Sequence, residues 1–354
     1  MDTVRIGIIG IGGIANASHI PAYLQNDHAQ VVALCDIDVK RAETARKKFF
    51  RKAAVYSDYM ELLADENVDA VDICTPNFLH AEIAIEAFRA GKHVLCEKPD
   101  AVSVEAAEQM YAAAAEAEKT LMVIRNNRFN LNSAYLKRFI EKDRMGDIYA
   151  ARAVWRRRRG IPGKGGWFTT KELSGGGPLI DLGVHMLDLA WWLMGCPAVE
   201  AVTGNTFAMF TDNTAPSSDT QFGDAVDQGV CDVEDLALGT IRFRNGAVMQ
   251  FEIGWAENIA AEQRYVELMG TKAGAYWNGC KDEIYYEAPD GKQKTHVVNQ
   301  NEIIPDHALN IENFINVVLG KEEPLWLPEQ GLEMMKILSA LYTSAENGGQ
   351  EIRF

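Results

Sequence analysis

"VRIGIIGIGGIA", residues 4–15, is the stretch on which the fold turns. Residues 4–9 form a largely apolar run without alternation, the pattern of a strand buried on both faces of a parallel sheet. Gly10, Gly12 and Gly13 follow at once, and Ile14 and Ala15 open a helical pattern, so the run ends in a G-x-G-x-x-A turn. Glycines at such a turn let the backbone approach a pyrophosphate, whose charge is met by the helix N-terminus.

The next apolar run outward, QVVALCD, ends at Asp36, roughly 20 residues beyond the glycines, where an acid accepts hydrogen bonds from an adenosine ribose. Asp36 repels a 2′-phosphate, so NAD is favoured over NADP, although Lys40 and Arg41 offer a phosphate some compensation. The competing role for Asp36, a cap before the next helix, falls equally well to Asp38. VDAVDICTP, HVLCEKP and LMVIRN continue the buried runs. Helical patterns separate them, from about Ala15, over 38–50, through AEIAIEAFRAG and over 103–118. Strand alternating with helix predicts a doubly wound parallel α/β domain of Rossmann type over residues 1–126.

Residues 127–354 have a different texture and predict an α+β domain with a largely antiparallel open sheet. Asn245-Gly246, between LALGTIRF and AVMQFEIGW, is a two-residue hairpin signal, and Asp290-Gly291 is a second. Helices are expected at 131–142, 179–194, 308–318 and 328–345, and the polar, turn-rich residues 211–229 read as a long surface loop.

With 354 residues and 47% hydrophobic content, the chain can bury a core in each of two domains. A formal net charge of −15 argues against a nucleic-acid partner, and no apolar stretch reaches the length of a membrane span. The N-terminal MDTVRIGIIG has no basic segment before its strand, and the six cysteines stand apart with no C-x-x-C or neighbouring histidine. A cytoplasmic protein without a metal centre is expected, with Cys35, Cys74 and Cys96 packed as small apolar groups.

Ligands of an open α/β sheet bind outside the carboxyl ends of its strands. Thr75-Pro76-Asn77 ends one buried run and Glu97-Lys98-Pro99 another, so both tripeptides should line the crevice of the glycine turn, with His80 either touching the ligand or packing. A third group lies in SGGGPLIDLGVHMLDLAWWLMG, where Asp181, His185 and Asp188 fall at i, i+4 and i+7 on one helix face. Polar residues there are either partnered in a core or turned to a cleft.

Together, the glycine turn, Thr75-Pro76-Asn77 with His80, Glu97-Lys98-Pro99, and Gly176-Gly177 before Asp181-x-Gly183-x-His185-x-x-Asp188 resemble the glucose-fructose oxidoreductase, inositol dehydrogenase and rhizopine-catabolism family of NAD(P)-dependent oxidoreductases. The resemblance runs over essentially the whole chain, including VEDLALGTIRFRNGA at 233–247. It implies a catalytic set of Lys98, Asp181 and His185, and a second-domain sheet with substrate on one face and often a subunit interface. The implied assembly is a homo-oligomer, dimer or tetramer. Asp100 after the proline, where relatives usually have an aliphatic residue, and Leu131 after Arg128-Phe129-Asn130, where a proline is common, depart from the pattern. Asp100 is expected to alter the field around Lys98.

Oxidation of a secondary alcohol moves a hydride to the nicotinamide and a proton to a base. His185 is the better base, because imidazole titrates near neutrality, and Asp181 one turn earlier would orient it or hold a hydroxyl. Lys98 as a cation would stabilise the developing alkoxide, or else relay the proton, with Pro99 holding its turn and Glu97 touching the ribose or the lysine. His19, His28, His93, His296 and His307 lack comparable sequence partners and read as structural or solvated.

In VWRRRRGIPGKGGWF, 154–168, alternate arginines point to opposite faces. Arg156 and Arg158, with Arg128 and Trp167, are the candidates for a polyhydroxylated ring, arginine giving forked donors and tryptophan an apolar face. The expected function is NAD-dependent oxidation of a sugar, sugar derivative or inositol-type polyol. Alternatives from other classes are a redox glycosidase that uses NAD transiently and a non-catalytic cofactor-sensing partner protein.

Overall fold

The computed structural model describes residues 2–210, 222–298 and 304–354. The buried runs of the first part form six parallel strands, β1 (Val4–Ile9), β2 (Ala29–Cys35), β3 (Ala54–Tyr56), β4 (Ala70–Ile73), β5 (His93–Cys96) and β6 (Leu121–Val123). Their order is β3-β2-β1-β4-β5-β6, so the chain reverses direction across the sheet between β1 and β4. On β1, Val4, Ile6 and Ile8 enter the apolar layer on one face and Ile9 the layer on the other, which is why the run does not alternate. The first of these layers is completed from far along the chain, by Ile311, Phe314 and Ile315 of the Asp306–Val318 helix.

The second sheet has nine strands, β7 (Ile148–Arg156), β8 (Val199–Phe207), β9 (Leu236–Phe243), β10 (Val248–Gly254), β11 (Gln263–Gly270), β12 (Ala273–Trp277), β13 (Asp282–Glu287), β14 (Gln293–Val298) and β15 (Ile352–Arg353). Their order is β14-β13-β12-β11-β7-β10-β9-β8-β15, antiparallel at every pairing except β7 with β10. Both hairpin signals are realised: Gly246 turns β9 into β10 at φ +87° and Gly291 turns β13 into β14 at φ +76°, a region open to glycine. The Val184–Leu193 helix packs across β7 and β11, and the Pro328–Glu346 helix across β8. There a side chain at Gly204 would lie 2.7 Å from the Leu341 carbonyl.

Two expected helices begin differently from a plain α-helix. Ala15–His19 and Leu179–Gly183 are each a π-helical turn, followed by α-helix at Ile20–Leu24 and Val184–Leu193. Such turns place side chains off the ordinary helical register and recur at functional sites. Of the expected loop at 211–229, residues 211–221 lie outside the described residues. The remainder packs on the glycine-rich loop before Trp167, where the Val226 N–H donates to the Lys164 carbonyl at 2.9 Å.

Candidate active site

The glycine turn sits where β1 meets β4. Gly10 has φ +93°, and a side chain there would lie 2.7 Å from the Cys74 carbonyl, so the two strand ends touch at the point where the sheet order reverses. Asp36 is buried, and its carboxylate accepts the Ile11 N–H at 2.7 Å and the Asp38 N–H at 2.8 Å. The helix cap belongs to Asp38, which accepts the Lys40 N–H at 3.1 Å. Gly12 has no atom within 4 Å of a would-be side chain, and the Thr75 hydroxyl is buried without a hydrogen-bond partner. An open cradle with an unsatisfied polar atom beside it fits a dinucleotide along these strand ends.

Two expected cofactor residues, Asn77 and His80, are held by protein groups. The Asn77 amide donates to the Ser174 carbonyl at 2.8 Å and ties this crevice to the second sheet domain. Pro76 precedes the short Asn77–Leu79 turn. His80 is fully buried, with its ring nitrogens 2.7 Å from the Pro99 carbonyl and 3.0 Å from the Thr75 carbonyl, so it staples the two tripeptides together. Arg41 pairs with Asp224 at 2.9 Å, which removes some of the compensation it would offer a phosphate.

Beyond β5, Lys98 crosses between the domains, and the Lys98–Pro99 peptide is cis. The Lys98 Nζ donates to Asp181 Oδ1 at 2.5 Å and to the Asp181 carbonyl at 3.0 Å. The other oxygen, Asp181 Oδ2, accepts the Trp255 indole N–H at 3.0 Å, so the carboxylate cannot rotate freely. Asp181 lies on the π-helical turn, whose start is capped by the buried Glu234. That carboxylate accepts the N–H groups of Gly177 at 2.9 Å and Leu179 at 3.1 Å, and the Tyr342 hydroxyl at 2.8 Å. A side chain at Gly177 would strike the Glu234 carbonyl at 2.1 Å and one at Gly176 the Tyr342 hydroxyl at 2.1 Å, which is why glycines precede this helix.

His185 is half-buried, with its ring centroid 6.0 Å from that of Trp155. Burial, then the Lys98 charge, holds its pKa well below the ordinary 6.5, so the ring is neutral and can accept a proton. Behind Lys98, two histidines expected to be structural or solvated form a chain. His19 is fully buried with Nδ1 at 2.7 Å from Asp72 and Nε2 at 2.9 Å from Glu97, and His307 Nε2 lies 3.5 Å from the same Glu97 oxygen. Burial lowers the His19 pKa, but the charges and hydrogen bonds of Asp72 and Cys74 together outweigh it and the net position is well above 6.5. Burial raises that of Glu97, but the bonds and charges of His19 and His307 carry it well below 4.5. The other Glu97 oxygen accepts the Lys98 N–H at 3.0 Å, so the residue braces the lysine's own backbone.

Several expected substrate contacts lie elsewhere. Arg128 is fully buried and forms a two-pronged pair with Asp188 at 2.8 and 2.7 Å, with Gln330 at 2.6 Å. Asp188, one turn beyond His185, has left the cleft for this junction. Asp100 points the same way, to Arg125 and the Tyr111 hydroxyl, so its charge is neutralised away from Lys98. Arg156 faces the opposite side of β7, paired with Glu252 at 2.9 Å and Glu257 at 2.6 Å. Arg158 is exposed, and Trp167 stacks on Phe168 at 3.8 Å, with no ring contact among the described residues to Lys98, Asp181 or His185. The face toward His185 carries Trp155, Arg157 and, from the neighbouring strand, Arg264.

Known proteins share this architecture. Residues 4–125 match the model of an oxidoreductase family with an NAD-binding Rossmann fold, and residues 137–353 match that family's C-terminal alpha/beta domain. The D-glucoside 3-dehydrogenase of Escherichia coli is 37% identical over 348 residues, covering 98% of this chain and 96% of that protein. The levoglucosan dehydrogenase of Pseudarthrobacter phenanthrenivorans is 32% identical over 297 residues, covering 78% of this chain and 74% of that protein. A solved levoglucosan dehydrogenase in complex with NADH and levoglucosan superposes with a TM-score of 0.85 at 23% identity over 99% of both chains, a likeness of fold. The chain therefore belongs to the glucose-fructose oxidoreductase, inositol dehydrogenase and rhizopine-catabolism family and is an NAD(P)-dependent dehydrogenase built from its Rossmann and C-terminal alpha/beta domains.

Proposed function

We propose that this protein oxidises a secondary alcohol of a sugar, sugar derivative or inositol-type polyol, with residues 1–126 binding NAD and residues 127–354 binding the substrate. The observation that carries the reading is the 2.5 Å pair between Lys98 and Asp181, beside a neutral His185 at the carboxyl end of β5. When bound, NAD supplies the hydride acceptor. His185 takes the hydroxyl proton at its ring nitrogen, Lys98 Nζ stabilises the developing alkoxide, and Asp181, pinned by Trp255, aims the lysine. The glycine turn with Ile14, Asp36 and Thr75 hold the dinucleotide. D-Glucoside 3-dehydrogenase and levoglucosan dehydrogenase, both similar to this chain, support a carbohydrate as the substrate class.

The cysteines, all without disulfide partners, support a cytoplasmic setting, and among the described residues no helix is long and apolar enough to cross a membrane. The face of the second sheet that carries Tyr265 stacked on Tyr276 supports association of copies of this chain. A spectrophotometric screen of glycosides, aldoses, sugar acids and inositols with NAD and NADP tests the function. Accumulation of NADH with a sugar or polyol is expected. Aglycone release with no net NADH would replace the reading with a redox glycosidase.

A further inference from the structure

Arginine buried in a protein is ordinarily matched by a carboxylate. In this chain buried Arg125 has Asp100 and buried Arg128 has Asp188, and the half-buried Arg156 has Glu252 and Glu257. Arg157 and Arg264, also half-buried, have no such ion pair among the described residues. Their guanidinium carbons lie 5.0 Å and 4.6 Å from the Trp155 ring, and Arg264 is also 5.3 Å from the Trp277 ring. Among the described residues, the Arg157 side chain donates only to the Gly160 carbonyl at 3.3 Å and the Arg264 side chain only to the Asn127 side-chain oxygen at 2.8 Å. The Arg264 Nε is buried with no partner. Burial depresses the pKa of both groups, as expected for cations short of counter-charge.

The carboxylates nearby act on these cations through space, and none among the described residues accepts a hydrogen bond from either guanidinium: Glu262 accepts the Arg158 N–H at 3.2 Å, and one Asp282 oxygen is buried without a partner. Asp181 holds Lys98 and Trp255, Asp306 accepts the Asn130 amide at 3.2 Å, and Asp282 accepts the N–H groups of Asn278 at 2.7 Å and Gly279 at 3.0 Å. Trp155 sits opposite Arg264 in the β7–β11 register and beside His185, so the two cations border the site of reaction. A guanidinium stacked on an indole keeps its N–H edges free for a ligand, and those edges match a carboxylate in two-pronged geometry.

We propose that the substrate bears a carboxylate, as a sugar acid or a glycoside with an acidic substituent, and that Arg157 and Arg264 bind this group against Trp155 while a secondary hydroxyl meets Lys98 and His185. The inference rests on the reading of the site as a sugar dehydrogenase. It is tested on matched pairs that differ only in the acid, such as methyl glucoside with methyl glucuronide and glucitol with gluconate, with kcat/KM followed as NADH. At least one acid is expected to exceed its neutral partner by about tenfold or more, and Arg264→Gln and Arg157→Gln to cut that acid-to-neutral ratio by about tenfold. Arg264→Lys, which keeps the charge and loses the fork, should restore part of the ratio. NADH affinity reports that the variants are folded. Neutral members used as well as their acids throughout, or a variant that lowers both members alike, would overturn the proposal while leaving the dehydrogenase reading intact. If no pair yields NADH, the dehydrogenase reading fails on this panel, and calorimetric titration of the protein–NADH complex with gluconate and glucitol decides the inference. Selective, Arg264-dependent binding of the acid supports it, and equal or absent binding of both overturns it.

Discussion

Lys98 of the cofactor-binding sheet and Asp181 of the second domain meet at 2.5 Å, so the pair proposed to act on substrate is assembled only when the two domains are docked. Neither residue has its partner within its own domain. Lys98→Ala is expected to retain NAD binding and to lose roughly 10²- to 10⁴-fold in kcat. Asp181→Asn should fall in the same range, since the amide leaves the lysine unaimed. Single-turnover NADH formation checks both, and full activity of Lys98→Ala would remove it from the mechanism.

The depressed pKa of His185 sets a pH dependence. A base held well below 6.5 stays neutral as pH falls through that value, so the acid limb of kcat/KM should lie below 6.5. A profile of the parent enzyme shows this directly. A limb at or above 6.5 that persists in His185→Ala would assign it to another group.

His19 bears on stability. Its folded pKa lies above the unfolded 6.5, so its stabilising contribution is complete below that value and disappears as pH rises through the folded pKa. Glu97 behaves oppositely: held below 4.5, its contribution is present above that value and lost as pH falls through the folded pKa. His19→Asn leaves Asp72 and Glu97 buried without their cation and should cost about 3–5 kcal/mol. Urea unfolding at neutral and alkaline pH measures it, and a loss that does not shrink toward alkaline pH would mean that the imidazolium is not what stabilises the chain.

Asp36→Ala removes both the proposed ribose acceptor and the acceptor of the Ile11 N–H, so the glycine turn is expected to loosen as well. NAD affinity should fall by roughly tenfold, and NADP affinity by less. Fluorescence titration with the two reduced cofactors distinguishes this from a general loss, in which both would weaken equally.

Arg128→Met should destabilise the protein by about 3–5 kcal/mol, because Asp188 is left buried and its remaining contact is the more distant Arg125 at 3.4 Å. The acid-to-neutral substrate ratio should be unchanged, in contrast to Arg264→Gln. An altered ratio would return Arg128 to the substrate site.

The features legible in the sequence were contiguous ones. The glycine turn, the unbroken strands and the hairpin glycines each carry their reason within a few residues, whereas the short β3 strand, Ala54–Tyr56, and β8, β11, β12 and β15 of the second sheet passed unmarked. His19, His307, Glu234 and Arg264 were missed because their partners are remote. His19 meets Glu97 across 78 positions, Glu234 caps Gly177 across 57, and Arg264 reaches Asn127 across 137. Alternation correctly separated Arg156 from Arg157, but nothing local states which face of β7 a helix will cover, so the outward arginine was chosen. Arg128 and Asp100 were misplaced for a related reason: a buried arginine and a ligand-binding one look alike until the carboxylate opposite is known.

The cap on the π-helical turn links the site to biosynthesis. Glu234 is itself held by Tyr342, on the Pro328–Glu346 helix, and the first sheet is covered by the Asp306–Val318 helix. Domains tend to fold as they leave the ribosome, N-terminal parts first. Here the first sheet, complete at Val123, takes part of its apolar cover from a helix that begins only at Asp306, and the turn bearing Asp181 takes its support from Tyr342, later still. Both supports of the site therefore come from segments made well after the residues they hold.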